Sequence, residues 1–362
     1  MSKKKIAILA GDGIGPEVTK EAVKCLNAVA DSFGHQFNYQ EALIGAAAID
    51  ETGDPFPAAT EKICKEADAI LFGAIGDPKY DNDPSAKVRP EQGLLRMRKN
   101  LGLFANVRPV KSYDKLLHIS PLKEANIKGT DFVVFRELTG GIYFGEPRGR
   151  SENGETAFDS CVYSKKEINQ ISRKAFEAAQ LRNKKLTLVD KANVLATSRL
   201  WRETVKDIAQ DYPDVALDFM FVDNAAMKII QNPKHFDVVL TENMFGDIIT
   251  DEASVIAGSL GMLPSASLGT SSSLFEPIHG SYPEAAGQNI ANPIGAILSA
   301  AMLLNYAFDM NEEAEAIENA VFNALEEELG TPDIVAESKA KTTTEVGDRI
   351  AELIKEKASV GA

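Results

Sequence analysis

Short apolar runs rich in Val, Ile and Phe alternate with longer amphipathic stretches along this chain, and that alternation constrains its fold more than any other feature. Residues 6–10 precede a helix that opens at Pro16, and 69–74 and 131–136 are further runs. Residues 186–190, 217–222 and 236–241 are each followed by helical periodicity. Strands that hand over to helices in this way predict an α/β protein with substantial parallel sheet. The C-terminal third reads as mostly helix. Between 140 and 164 the pattern changes, with alternating residues around Tyr143 and over 158–163 separated by the polar, turn-forming segment 148–154; this predicts a long hairpin. No internal repeat or Pro/Gly/Ser linker marks a domain border.

The size of the chain, 362 residues with 44% hydrophobic side chains, predicts two domains with sizeable cores. The longest apolar run, 295–304, is too short to span a bilayer, and Lys3-Lys4-Lys5 is followed by only a few apolar residues, so neither membrane anchor nor signal peptide is expected. Three widely separated cysteines, Cys25, Cys64 and Cys161, fit neither a zinc knuckle nor a disulfide framework and suit a reducing cytoplasm. A net charge of −14 argues against nucleic acid as a partner. Yet 87–111 carries seven basic residues and one acid, Glu91. That island fits either a small anionic ligand or a basic helix face paired with acids elsewhere.

Several residues stand out chemically. Asp247 and Asp251 lie four apart in NMFGDIITD, on one face of a helix that follows a strand, and Asp223 ends another apolar run. Such carboxylates either point into water or hold a hard cation such as Mg²⁺ or Mn²⁺. The turn Gly11-Asp12-Gly13-Ile14-Gly15-Pro16 invites comparison with the dinucleotide fingerprint G-x-G-x-x-G. Pro16 occupies the third glycine position and no acidic residue closes a second strand at the right distance, so a Rossmann fold is rejected. Arg136 lies within the apolar run DFVVFRE, where a guanidinium needs water or an anion, and Arg98 and Arg108 flank a neighbouring segment. Three such two-pronged donors suit a di-carboxylate. Lys191 follows a predicted parallel strand at its C-terminal end, where open α/β sheets place ligands. Among the histidines only His279 sits in a suggestive loop, and no Ser or Cys triad is visible.

Six ordered segments carry a resemblance that runs nearly end to end: GDGIGPEV (11–18), EQGLLRMRKNLGLFANVRP (91–109), FRELTGGIYFGEPRG (135–149), VDKANVL (189–195), ENMFGDIITDEAS (242–254) and HGSYPEAAGQNIANP (279–293). Together they resemble the β-hydroxyacid oxidative decarboxylases, the isocitrate/isopropylmalate dehydrogenase family. The resemblance implies a two-domain fold unlike Rossmann's, with a mixed sheet flanked by helices and a projecting β arm at about 140–164. Domain one would be discontinuous, 1–103 with 258–362, and domain two would be 104–257, with the active site in the cleft. It also implies a cytoplasmic homodimer in which Lys191 and Asp223 complete the partner's site.

The expected activity is NAD-dependent, Mg²⁺- or Mn²⁺-assisted oxidation and decarboxylation of 3-isopropylmalate in leucine biosynthesis. On that resemblance Arg98, Arg108 and Arg136 hold the carboxylates, and Asp223, Asp247 and Asp251 hold the metal, Asp223 also touching substrate. Lys191 assists removal of the hydroxyl proton and Tyr143 protonates C3. Ile14, Glu91, His279, Gly280, Ser281, Glu284 and Asn292 are implied to contact NAD, with Glu284 at the adenosine ribose. Leu94 and Leu95, just before Arg98, are expected to line an apolar slot for the isopropyl group. Two other classes remain for comparison: a non-catalytic homologue, disfavoured by the joint presence of Tyr143, Lys191 and the three aspartates, and a phosphate-handling protein, which lacks the G-x-x-x-x-G-K-[ST] signature.

Overall fold

The computed structural model describes residues 2–82 and 87–360. In chain order its strands are β1 (Lys3–Gly11), β2 (Gln36–Glu41), β3 (Ala69–Ala74), β4 (Leu103–Lys111), β5 (Asp131–Glu137), β6 (Gly149–Arg150), β7 (Ala157–Phe158), β8 (Lys185–Asp190), β9 (Ala216–Phe221), β10 (Val238–Thr241), β11 (Pro264–Gly269) and β12 (Leu274–Pro277). The α-helices are α1 (Gly15–Phe33), α2 (Gly45–Thr52), α3 (Ala58–Glu66), α4 (Pro78–Asp81), α5 (Pro90–Asn100), α6 (Glu124–Ile127), α7 (Lys165–Leu181), α8 (Ala196–Ala209), α9 (Val222–Gln231), α10 (Asn243–Ser254), α11 (Ile294–Phe308), α12 (Asn311–Glu326) and α13 (Thr343–Val360). No helix among the described residues is long and apolar enough to cross a membrane.

Two compact units divide the chain, Met1–Leu103 with Gly258–Ala362, and Phe104–Ala257. In the first, strands run in the order β2-β1-β3-β12-β11. The pairs of β1 with β2 and β3, and of β3 with β12, are parallel, whereas β11 and β12 are antiparallel. Every residue of β3 is buried, as an interior parallel strand covered on both faces must be. α1 starts with Pro16 in its first turn, where a missing N–H costs nothing, and stops at Gly34, whose φ of +71° suits a residue without Cβ. α11 is buried over almost its whole length and packs on α1, β11 and β12, forming the centre of this unit.

The second unit orders its strands β4-β5-β10-β8-β9, antiparallel only at β4–β5. Its core gathers Phe132, Val134, Val189 and Val239 from one face of that sheet, with Ile229 of α9 and Ile249 of α10. β6 and β7 form a separate two-stranded antiparallel sheet, and Gly141 bridges Val162 below it, so the segment expected as a hairpin is one. At its exit Ser164 caps α7: the Ser164 hydroxyl accepts from Glu167 N–H while the Glu167 carboxylate accepts from Ser164 N–H.

The C-terminal third is mostly helix, as expected, with β11 and β12 besides, because Ser- and Pro-containing PSASLG is recruited by its partner strand despite weak strand propensity. The structure corrects two expectations. Residues 149–150, inside the polar segment read as turn, pair as β6. The strand expected over 236–241 begins only at Val238, after a short 3₁₀ turn over Pro233–His235.

Candidate active site

Arg136 is the penultimate residue of β5 and is 4% exposed. Its Nε donates to the Asn243 carbonyl and its Nη2 to Asn243 Oδ1, both at 2.9 Å, while Nη1 lies 2.5 Å from Asp247 Oδ1. A buried guanidinium is tolerable only when satisfied in this way. α10 makes the approach possible through Gly246, where a Cβ would stand 2.5 Å from Arg136 Cγ. Tyr143 donates to the other oxygen of Asp247, at 2.9 Å, and its ring lies over the Arg136 guanidinium. Burial, and then the Asp247 carboxylate, push the Tyr143 phenol above its ordinary pKa, so it keeps its proton at neutral pH. A half-exposed proton donor results, fixed at its oxygen end.

One turn further along α10, Arg108 of β4 reaches Thr250 Oγ1 at 2.7 Å and Asp251 Oδ1 at 3.3 Å, with its Nε donating to Asn106 Oδ1 at 2.7 Å. Asp247 and Asp251 thus share one helix face, as their spacing predicts, and each is held beside an arginine. Asp223 does not join them. It stands at the start of α9, 2.5 Å from Lys191 Nζ, and the ammonium holds its carboxyl below the usual range. Among the described residues, no three Asp, Glu, His or Cys side chains converge closely enough to hold a metal ion. Asp247 and Asp251 are hard oxygen donors of the type a small divalent cation takes, and they fit two positions of such a site; further oxygens must come from elsewhere.

In the first unit, Arg98 of α5 donates from Nη2 to Glu276 Oε1 of β12 at 3.3 Å. Leu94 packs partly against the unit's core, whereas Leu95 is 48% exposed. The glycine-rich turn is tied down from within: buried Asp12 accepts from the amides of Ala46, Ala47 and Gly76 at 2.9–3.0 Å. Ile14 N–H donates to the Ser281 carbonyl at 2.8 Å, and a Cβ on Gly13 would lie 2.0 Å from that oxygen. Glycine is needed at 13 for this close approach, at a φ of +58°. Glu91 Oε1 and Ser281 Oγ both flank Gly76.

Ile14, Glu91 and Ser281 are therefore neighbours. His279 donates from Nδ1 to the Gly280 carbonyl at 2.8 Å; its buried Nε2 has no partner, and burial lowers its pKa, leaving a neutral imidazole. An open Gly280, an exposed Glu284 and that unsatisfied ring nitrogen fit a polar ligand such as a nucleotide along this loop. Asn292 is placed differently: it is buried, and its amide is engaged by Asp333, Met262 and the Ile294 N–H.

Three residues that sequence reading passed over hold the arginines in place: Asn243 for Arg136, Asn106 for Arg108 and Glu276 for Arg98. Asn243 and Asn106 lie within the quoted motifs, but an amide has no sequence pattern that reveals its partner. Glu242, beside Asn243, is also unforeseen. It is 5% exposed, one carboxyl oxygen has no partner, and burial, reinforced by Glu137 and Asp190, pushes its pKa up to about 7.

A sequence profile described as isocitrate/isopropylmalate dehydrogenase matches residues 5–350. The chain is 56% identical over 352 residues to a protein of Bacteroides fragilis named 3-isopropylmalate dehydrogenase, covering 97% of this chain and 99% of that one. A protein of the same name from Geobacillus kaustophilus is 58% identical over 337 residues, covering 92% and 91%. Among solved structures, an isocitrate dehydrogenase from Methylococcus capsulatus matches with a TM-score of 0.85 at 33% identity, covering 97% of this chain and 99% of that one.

Proposed function

Because the chain belongs to the isocitrate/isopropylmalate dehydrogenase family, we propose that it converts (2R,3S)-3-isopropylmalate to 4-methyl-2-oxopentanoate in leucine biosynthesis, as a cytoplasmic NAD-dependent decarboxylating dehydrogenase assisted by Mg²⁺ or Mn²⁺. The observation that carries this reading is the joint engagement of Asp247 by Arg136 and Tyr143, which sets an anion-binding group, a metal-type ligand and a proton donor around one carboxylate. The identity above 50% to relatives named for this substrate supports the choice of acid.

Arg98, Arg108 and Arg136 bind the two substrate carboxylates, each presenting a planar pair of donors. Lys191 assists removal of the C2 hydroxyl proton as the C2 hydride leaves for the nicotinamide. The C3 carboxylate then departs as CO₂, its C–C electron pair forming the enolate, and Tyr143 returns a proton to C3. When bound, NAD supplies the hydride acceptor and the divalent cation, held by Asp247 and Asp251 with Asp223, supplies Lewis acidity toward the C2 oxygen. Because Asp223 and Lys191 pair with each other away from Asp247 and Asp251, we read the working enzyme as a homodimer in which these two residues serve the partner's site. Exposed Glu284 accepts the adenosine 2′-hydroxyl and repels a 2′-phosphate, so NAD is preferred over NADP by about 3 kcal/mol, or roughly 10²-fold.

The test follows NADH absorbance with 3-isopropylmalate, isocitrate and D-malate at fixed NAD⁺ and Mg²⁺, then with NADP⁺. Turnover of isocitrate or D-malate as efficient as that of 3-isopropylmalate overturns the substrate assignment, and equal kcat/KM for the two cofactors overturns the role of Glu284.

A further inference from the structure

The first unit contains a cavity of about 680 Å³ that none of the residues assigned above to substrate, cofactor or metal lines. It lies between α1, the end of β2 and the segment 42–47 that leads into α2. Its size falls within the roughly 300–1,000 Å³ typical of small-molecule sites.

Most of its wall is apolar, from Ile8, Val23, Ile44 and Leu43. Leu43 is 44% exposed, an uncovered aliphatic side chain bordering the cavity. Against this wall stand two exposed groups of opposite charge, Lys20 on α1 and Glu41 at the end of β2. No salt bridge among the described residues engages either one. Thr19 also borders the cavity, but its hydroxyl is buried beside Gly73 of β3 and does not face it. Tyr39 spends its hydroxyl on Asn27 at 2.9 Å.

These features exclude most ligand classes by charge. A fatty acid would satisfy Lys20 and be repelled by Glu41, and an alkyl amine would do the reverse. A nucleotide would bring phosphate toward Glu41, and a sugar would leave the aliphatic wall in contact with polar surface. A ligand carrying one carboxylate, one ammonium and an aliphatic body satisfies all of them together. We propose that this cavity binds a free α-amino acid with a large aliphatic side chain, its carboxylate toward Lys20, its ammonium toward Glu41 and its side chain on Ile8, Val23, Leu43 and Ile44. The inference rests on the cavity and is independent of the reaction proposed above.

The experiment titrates the intact protein by calorimetry with L-leucine as probe. Alongside run 4-methylpentanoate, which lacks the ammonium, 3-methylbutylamine, which lacks the carboxylate, and glycine, which lacks the side chain. Lys20→Gln and Glu41→Gln serve as site variants, both at exposed positions outside any ion pair, and dehydrogenase activity confirms that they fold. L-Leucine is expected to bind wild type, with each analogue and each variant weakened about tenfold or more, as loss of a hydrogen bond to a charged group predicts. Absence of L-leucine binding up to about 10 mM overturns the proposal. So does undiminished binding by both variants, which would put the ligand elsewhere, or equal binding of the single-charge analogues, which would reduce the cavity to an unselective apolar slot.

Discussion

Arg136 and Asp247 form an ion pair at 2.5 Å in which the arginine is almost fully buried and the aspartate is partly open to solvent. The asymmetry matters. The guanidinium is fixed by Asn243 on its other edges, so the carboxylate that faces outward is oriented by a rigid partner. Asp247 is thereby presented, with Tyr143 on its second oxygen, on the same helix face as Asp251.

Asp247→Asn is expected to raise the Mg²⁺ concentration needed for half-maximal activity by at least about tenfold, since a charged ligand is replaced by a neutral one. It also leaves Arg136 short of its counter-ion, with a stability loss of about 1–3 kcal/mol. Metal titration of the rate and denaturant unfolding measure the two effects separately. Wild-type activity at limiting Mg²⁺ would return the aspartates to the reading of a solvated acidic face.

Tyr143→Phe keeps the ring over Arg136 and removes the proton donor. Turnover is expected to fall by about 10²–10⁴-fold, the usual contribution of a general acid, while substrate affinity measured by direct titration changes little. An unchanged single-turnover rate removes Tyr143 from the chemistry.

Mixing two inactive variants tests the shared site. In a heterodimer of Lys191→Met and Asp247→Asn, one site carries both lesions and the other is intact if Lys191 serves the partner. After subunit exchange at equal amounts, half the dimers are mixed and half their sites work, giving about one quarter of wild-type activity. No recovery, with exchange verified by mass spectrometry, would show that Lys191 acts within its own subunit.

Glu242 predicts a pH-dependent stability. Its usual value of 4.5 is raised to about 7 in the folded protein, so the native state holds this proton more tightly than the unfolded one. The resulting penalty is absent below about pH 4.5, grows as pH rises to about 7 and is constant above, where it reaches roughly 3 kcal/mol. Glu242→Gln is therefore expected to stabilise the protein at pH 8 and to have little effect at pH 4.5. Equal effects at both values in urea unfolding would rule out a buried, proton-holding carboxyl.

The two leucines before Arg98 separate by burial. Leu95→Ser, at an exposed position, is expected to lower the preference for 3-isopropylmalate over D-malate by about 1–3 kcal/mol, or roughly 10–200-fold, without changing stability. Leu94→Ser removes part of the core packing as well, so a lowered Tm accompanies any change in preference. A substrate panel with both variants decides between them, and an unaltered ratio for Leu95→Ser takes that residue out of the slot.

Much of this protein was legible in the order of its residues. Runs such as AILFGA and KLTLVD declare buried strands because each is short and apolar, and the second is followed by helical periodicity, properties local to the chain. The four-residue spacing of Asp247 and Asp251 likewise implies one helix face, and the ordered motifs point to the family. What the chain could not declare locally is what depends on distant partners. QFNYQE becomes β2 because β1 supplies its hydrogen bonds, and PSASLG becomes β11 beside β12 for the same reason. Asn243, Asn106 and Glu276 are ordinary polar residues until folding sets them against three arginines. Glu242 acquires its raised pKa only from burial near Glu137 and Asp190, residues 105 and 52 positions away along the chain. Propensity and periodicity act over a few residues, whereas hydrogen-bond partnership and desolvation are properties of neighbours in space, and only the tertiary structure brings those neighbours together.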